Sequence, residues 1–172
     1  MNNNIDSGSA ITKQKDPYKA GVELTEKICK SMKTPPNLLI VFCSNNTYGK
    51  DKKSLKKFIN GLNDNIKNIS PKCKIFGCTS SGEISNFGIT KNSGIGLGLA
   101  SEYLRCGIGL NELTEPQRAL REAIKNLEVD KHITSYVKFL AYKSKDFKEK
   151  IKFVPYFGIV LSANSKYIDE LN

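Results

Sequence analysis

Residues 74–100 bring together three kinds of sequence. A short apolar strand (74–76) comes first, followed by a run of small and hydroxyl residues that ends in a carboxylate. Glycine then alternates with isoleucine and leucine over residues 94–99. Small and hydroxyl residues at the end of a strand supply backbone N–H and hydroxyl donors, which suit an anionic or polar small molecule. The stretch therefore predicts a ligand pocket at one end of a β-sheet.

The small-residue run also carries a family resemblance. Residues 77–84, GCTSSGEI, resemble the G-C-[ST]-[ST]-[AS]-G-E-I run found in the N-terminal half of FIST proteins. Residues 16–21 resemble the opening helix of that family, residues 38–44 its first core strand, and residues 156–162 a later strand. The resemblance spans about residues 16–162 and is strongest at the GCTSSGEI run.

The resemblance implies a function for the chain. FIST proteins are associated with signal transduction and with small ligands such as amino acids, so a non-enzymatic sensory domain is expected. In that family a second, C-terminal half usually follows, so the chain is expected to be truncated at its C-terminus. A FIST C-terminal half or a signalling output domain would then be its partner.

The predicted ligand-binding residues all lie in this run: Gly77, Cys78, Thr79, Ser80, Ser81, Gly82 and Glu83. The serine hydroxyls would donate hydrogen bonds, and the two glycines would let a ligand approach the backbone closely. For Glu83 two alternatives stay open. Its carboxylate would either pair with the amino group of a ligand or accept hydrogen bonds that hold the loop.

Helices and strands alternate along the rest of the chain. Residues 1–15 are polar and predict a disordered tail, followed by one domain over residues 16–172. Asp16 and Pro17 begin a predicted helix, whose apolar stripe is Ala20, Leu24, Ile28 and Met32. The continuous apolar run at 38–43 predicts a strand covered on both faces. A second helix is predicted over residues 50–69, with an apolar stripe toward the sheet that consists of Leu55, Phe58, Ile59, Leu62, Ile66 and Ile69.

Past the motif, residues 86–92 predict a loop that turns at Gly88, and residues 94–100 and 104–110 predict two strands of a β-hairpin. Thr114 and the next three residues predict a capping box, which opens a helix with Leu120, Ala123, Ile124 and Leu127 on one face. Residues 129–153 suit a helix or a strand, residues 156–161 a core strand, and residues 165–171 the start of a helix. The predicted fold is mixed α+β, with a mixed sheet, packed helices and a hairpin.

The glycine alternation within residues 94–99 is not a dinucleotide-binding loop, because Leu99 and Ser101 stand where G-x-G-x-x-G needs glycine. It describes a strand with one bare face. That bare face leaves room either for a ligand or for a closely packed helix.

Composition excludes several classes of protein. No stretch has the 18 or more apolar residues needed to cross a bilayer, and residues 1–15 lack the apolar core of a signal peptide, so a cytoplasmic protein without a membrane partner is expected. The five cysteines have no paired spacing, which argues against a metal site, and no cofactor is expected. An odd cysteine count fits reduced, buried thiols better than disulfides.

Two alternative functions stay open. Cys78 would be the nucleophile of a small hydrolase or transferase, although a serine–histidine triad is disfavoured because His132 is the only histidine. The net charge of +10 suggests a nucleic-acid-binding module. However, 24 of the 27 basic residues are lysine, whereas recognition surfaces favour arginine. We therefore expect at most weak, salt-sensitive attraction to nucleic acid.

Overall fold

The computed structural model describes residues 5–85, 88–112, 115–127 and 158–161. The chain divides into two compact units, Met1–Leu104 and Arg105–Asn172. The strands of the first unit are β1 (Asp6–Thr12), β2 (Leu38–Ser44), β3 (Lys74–Ser80), β4 (Glu83–Ser85), β5 (Gly88–Thr90) and β6 (Gly94–Ala100). Its helices are α1 (Pro17–Lys30) and α2 (Lys52–Ile69), and the second unit contains α3 (Pro116–Lys125).

Four strands form one mixed sheet in the order β1-β6-β2-β3. β2 and β3 run parallel, whereas β6 is antiparallel to both of its neighbours, β1 and β2. β4 and β5 form a separate antiparallel hairpin. This mixed sheet with its packed helices confirms the predicted α+β class.

Both long helices begin at an aspartate cap. The Asp16 carboxylate accepts a hydrogen bond from the backbone N–H of Lys19 at 2.9 Å, and Pro17 occupies the first turn of α1. Asp51 caps α2 by accepting from the N–H of Ser54 at 2.7 Å. Each cap satisfies a backbone donor that has no partner inside the helix, which is why the helices start here.

The two helices cross where each has a glycine. A Cβ added at Gly21 would lie 2.3 Å from the carbonyl oxygen of Phe58, and one added at Gly61 would lie 2.1 Å from that of Tyr18. No side chain fits in either place, so these glycines allow the helix backbones to touch. The inward-facing residues of both helices form the core together with β2 and the loop that follows it; its members are Ala20, Leu24, Ile28, Leu39, Val41, Cys43, Tyr48, Phe58, Leu62 and Ile66. Ile59 and Ile69 were expected in the stripe of α2 but are 43% and 38% exposed, so the expectation is wrong for these two residues.

The bare face of β6 is filled by α1. A Cβ added at Gly96 would lie 2.7 Å from Cδ1 of Ile28, and one added at Gly98 would lie 2.6 Å from Cγ2 of the same side chain. Of the two alternatives for the alternating glycines, the structure supports the closely packed helix. The glycines bring the helix down onto the sheet.

The opposite face of the sheet is less covered. Leu39 and Val41 of β2 are buried beneath the helices, but Leu38, Ile40 and Phe42 on the other side are only half-buried. The prediction that both faces of this strand are covered holds for one face among the described residues.

Several expectations for individual segments are wrong. The disordered tail predicted for residues 1–15 contains β1, which pairs along its whole length with β6. Residues 104–110 form no strand, because the edges of β6 are already occupied by β1 and β2. The loop predicted at residues 86–92 includes the short strand β5, although Gly88 does adopt a positive φ of 91°.

In the second unit, residues 107–109 run against α3. A Cβ at Gly107 would lie 1.9 Å from the carbonyl oxygen of Ala123, and one at Gly109 would lie 1.8 Å from that of Ala119. The helix confirms the prediction of its position, but Leu120 and Ile124 on its expected apolar face are exposed.

The capping box expected at the start of α3 depends on the side chain of Thr114. The residue that caps α3 is Glu115, and it makes no side-chain cap hydrogen bond. Thr114 itself lies outside the described residues.

Other expectations fall partly or wholly outside the described residues. The strand predicted at 156–161 has no regular structure over residues 158–161, its described part. The predictions for residues 129–153 and 165–171, and His132, lie outside. No helix in the part of the chain that the structure describes has both the length and the apolarity needed to cross a membrane.

Candidate ligand-binding site

The first residues of the motif are part of a strand. β3 does not end at Phe76 as expected but continues to Ser80, because β2 pairs with it residue by residue as far as Ser44. The sheet requires glycine in this strand. A Cβ at Gly77 would lie 1.7 Å from the carbonyl oxygen of Val41 on β2. Ser81 and Gly82 then connect β3 to β4, and Glu83 is the first residue of β4.

Glu83 lies at the centre of a cluster of hydroxyl groups. Its side chain is 1% exposed, and its two oxygens accept hydrogen bonds from Ser80 at 2.9 Å and from Ser93 at 2.6 Å. Oγ1 of Thr90 lies 2.8 Å from Oγ of Ser93. A buried carboxylate is tolerated only where such partners replace water. Its protein partners favour the alternative in which Glu83 holds the loop.

Backbone hydrogen bonds hold the same edge of the sheet. The carbonyl of Ser44 accepts from the N–H groups of Thr47, Tyr48 and Gly49. Ser44 and Asn45 donate in turn to the carbonyls of Ser93 and Ser80, each at 2.8 Å. The ends of β2 and β3 and the start of β6 are thereby fixed around the motif. In open α/β sheets, ligands bind at this carboxyl edge of parallel strands.

The motif residues differ in what they offer a ligand. Gly77, Cys78, Ser81 and Gly82 are exposed, whereas Thr79 is half-buried. The hydroxyl of Ser80 already donates to Glu83. Among the described residues, neither Ser81 nor Gly82 has a hydrogen-bonding partner within the protein. Their N–H groups and the Ser81 hydroxyl are therefore available to a ligand.

The pKa values of the two thiols near the motif are raised. Partial desolvation raises the pKa of Cys78 although the residue is exposed, and burial together with the charges of Glu83 and Cys78 raises the pKa of Cys43 to about 12. A thiol with a raised pKa is mostly protonated at neutral pH and reacts slowly. All five cysteines are thiols rather than disulfides. Cys43 is buried, whereas Cys29, Cys73 and Cys106 are half-buried and Cys78 is exposed, so the expectation of buried thiols holds for one of the five.

Sequence reasoning missed two members of the hydroxyl cluster, Thr90 and Ser93. Both follow the motif in a segment that the sequence assigns to a loop and the start of a strand. Asn92 has a positive φ of 59°, and this turn places Ser93 at the start of β6. No sequence pattern marks these hydroxyls, because their role depends on the position of Glu83. Within the described residues, no cluster of His, Cys, Asp and Glu side chains is arranged to hold a metal ion.

The fold and the motif define a small α+β domain whose characteristic residues lie at one edge of its sheet. The sequence profile of the FIST N domain matches residues 37–171, most of the chain, and the protein therefore belongs to the FIST N domain family. This confirms the resemblance given by the GCTSSGEI run. FIST domains are sensory signal-transduction domains rather than a known family of enzymes.

Curated proteins and solved structures give no further indication of function. No curated protein matches the chain. Among solved structures, the chain is similar to TubZ from Bacillus thuringiensis serovar israelensis in its GDP-form protofilaments, with 12% identity and a TM-score of 0.35. The similarity covers 86% of this chain and 34% of that one. So weak a similarity supports no conclusion about fold or function.

Proposed function

We propose that this FIST N domain is a sensory domain that binds a small molecule, an amino acid or a related metabolite, at residues 77–82. Ser81 and Gly82 supply donors for the ligand, while Glu83 holds the segment in place. The proposal includes a cytoplasmic location and, as the partner that receives the signal, a FIST C-terminal half or an output domain.

The proposal is supported by one observation: hydrogen-bond donors without a partner in the protein lie directly next to a residue that is fixed by hydrogen bonds. Ser81 and Gly82 are exposed at the carboxyl edge of β2 and β3, while the next residue, Glu83, is buried and hydrogen-bonded through both oxygens. An anchored segment does not have to be ordered when a ligand binds, so less affinity is lost to conformational entropy. Donors held in this way suit the carboxylate of an amino acid.

The enzymatic alternative has less support. A nucleophile at Cys78 needs a lowered pKa or an adjacent base, but partial desolvation raises the pKa of this exposed thiol. The only histidine of the chain, His132, lies outside the described residues. Sensory binding therefore accounts for the motif better than covalent catalysis does.

Thermal-shift screening of the twenty amino acids and related metabolites tests the proposal. At least one compound is expected to raise the melting temperature of the wild-type chain in a concentration-dependent manner. Ser81→Ala is expected to weaken the binding of that compound by roughly 1–2 kcal/mol, because one hydroxyl donor is lost. Ser9→Ala, at an exposed serine of β1, is the matched control and should leave the affinity unchanged. Equal affinity in all three proteins would place the ligand elsewhere.

A further inference from the structure

A concave surface of the first unit contains none of the motif residues. This basic cleft has a volume of about 460 Å³ and is lined by Lys15, Pro17, Asn46, Thr47, Lys50, Asp51, Lys53, Ser54 and Lys57. These residues come from the loop before α1, the loop after β2 and the first turns of α2. The volume lies within the range of roughly 300–1,000 Å³ typical of small-molecule sites.

The charge of the cleft is strongly one-sided. Four lysines and a single aspartate line it. The aspartate, Asp51, faces α2, since it accepts hydrogen bonds from the N–H and the hydroxyl of Ser54 at 2.7 and 2.9 Å. Among the described residues, no carboxylate lies within ion-pair distance of the four ammonium groups. Hydrogen bonds from Ser54 and the charge of Lys50 lower the pKa of Asp51, so this aspartate offsets part of the positive charge. The remaining positive charges repel one another, and a bound anion would relieve that repulsion.

The cleft also provides neutral hydrogen-bonding groups. Asn46 and Thr47 line it from the loop after β2, whose backbone is fixed by the Ser44 carbonyl. The hydroxyl of Thr47 donates to Oδ1 of Asn92 at 3.2 Å. Asn92 precedes Ser93, so the cleft borders the Glu83 cluster but shares no residue with it. The polar wall of the cleft is therefore held in place, while its lysines are free to adapt.

We propose that the basic cleft binds a small molecule that carries a diphosphate or a similar compact group of negative charges. Four ammonium groups match several phosphate charges better than a single carboxylate, and a cleft of about 460 Å³ suits a small molecule rather than a continuous nucleic-acid strand. The inference does not depend on ligand binding at residues 77–82.

The test compares two double variants with the same change of net charge in the same helix. Lys53→Glu with Lys57→Glu alters two lysines that line the cleft. Lys52→Glu with Lys56→Glu alters two exposed lysines that do not line the cleft. Calorimetric titration with inorganic pyrophosphate at low ionic strength measures affinity, and far-UV circular dichroism confirms that both variants are folded.

The wild type and the Lys52/Lys56 variant are expected to bind pyrophosphate with similar affinity, and the Lys53/Lys57 variant about tenfold or more weakly. Absence of binding to the wild type would overturn the proposal. So would an equal loss of affinity in both double variants, because the attraction would then come from net charge alone. A single-stranded DNA oligonucleotide that displaces pyrophosphate from the wild type would contradict the small-molecule class of ligand.

Discussion

Glu83 shows how one buried charge organises the motif. Glu83 is 1% exposed, and its two oxygens accept hydrogen bonds from Ser80, the last residue of β3, and from Ser93, which directly precedes β6. The carboxylate thereby joins the end of β3 to the start of β6. The sequence left open whether this residue meets a ligand or holds the loop, because a carboxylate looks the same in both roles. Only the three-dimensional arrangement of Ser80 and Ser93 favours the second.

Replacing Glu83 tests that role. Glu83→Gln keeps the shape of the side chain but weakens two charge-assisted hydrogen bonds, so the free energy of unfolding is expected to fall by about 1–2 kcal/mol. Urea denaturation measures the change. When Glu83→Gln is combined with Ser93→Ala, the loss of stability in the double variant should be smaller than the sum of the two single losses, because both substitutions affect one hydrogen-bond network. Unchanged stability together with a large loss of affinity for an identified ligand would favour the ligand-amine role instead.

The buried thiol of Cys43 makes stability depend on alkaline pH. Its pKa is raised from an ordinary 9.0 to about 12, chiefly by burial. Above pH 9 the unfolded chain therefore loses a proton that the folded chain keeps, so stability declines as the pH rises from 9 toward 12. Cys43→Ala is expected to make the decline between pH 9 and 10 shallower. Urea denaturation of the wild type and of Cys43→Ala at several pH values measures this decline in stability. Identical slopes in the two proteins would contradict the prediction.

At the scale of elements, segments with a regular apolar pattern were predicted correctly. The helices α1 and α2 and the strand β2 lie where expected, because apolar residues at helical spacing or in a continuous run directly indicate which residues are buried. β1 was missed because DSGSAIT contains few apolar residues, and its stability comes from pairing with β6, distant in sequence. The hairpin was misplaced for a related reason. A local pattern cannot show that β6 pairs with β1 and β2 instead of the segment that follows it.

The apolar stripe of α2 makes a clear prediction. Phe58 is 1% exposed, and its ring stacks on Tyr48 with 4.8 Å between ring centroids. Phe58→Ala is expected to lower the free energy of unfolding by about 3–5 kcal/mol, because it leaves a cavity in the core. Ile59, the next residue along α2, is 43% exposed and provides the control, with an expected loss of less than about 1 kcal/mol for Ile59→Ala. Chemical denaturation compares the two, and similar losses would contradict the orientation of the helix.

At the scale of the whole molecule, the carboxyl edge of the sheet concentrates the functional groups. The motif follows β3, and the basic cleft is lined partly by the loop that follows β2. The sequence predicted the motif from its family pattern but not the cleft. Lys50, Lys53 and Lys57 share a helical spacing that many exposed helices have, and Lys15 joins them only in the folded chain. Family membership thus locates the motif, while the fold alone reveals the cleft.

The central claim is that the segment ending at Gly82 binds a small ligand while Glu83 anchors it. Amide chemical-shift mapping on the ¹⁵N-labelled chain, titrated with any amino acid or metabolite that raises the melting temperature, tests this most directly. The largest shifts are expected at Cys78, Ser81 and Gly82, with smaller ones at Ser93 through the Glu83 cluster. Saturating shifts confined to residues remote from this edge would contradict it, and so would the lack of any stabilising compound.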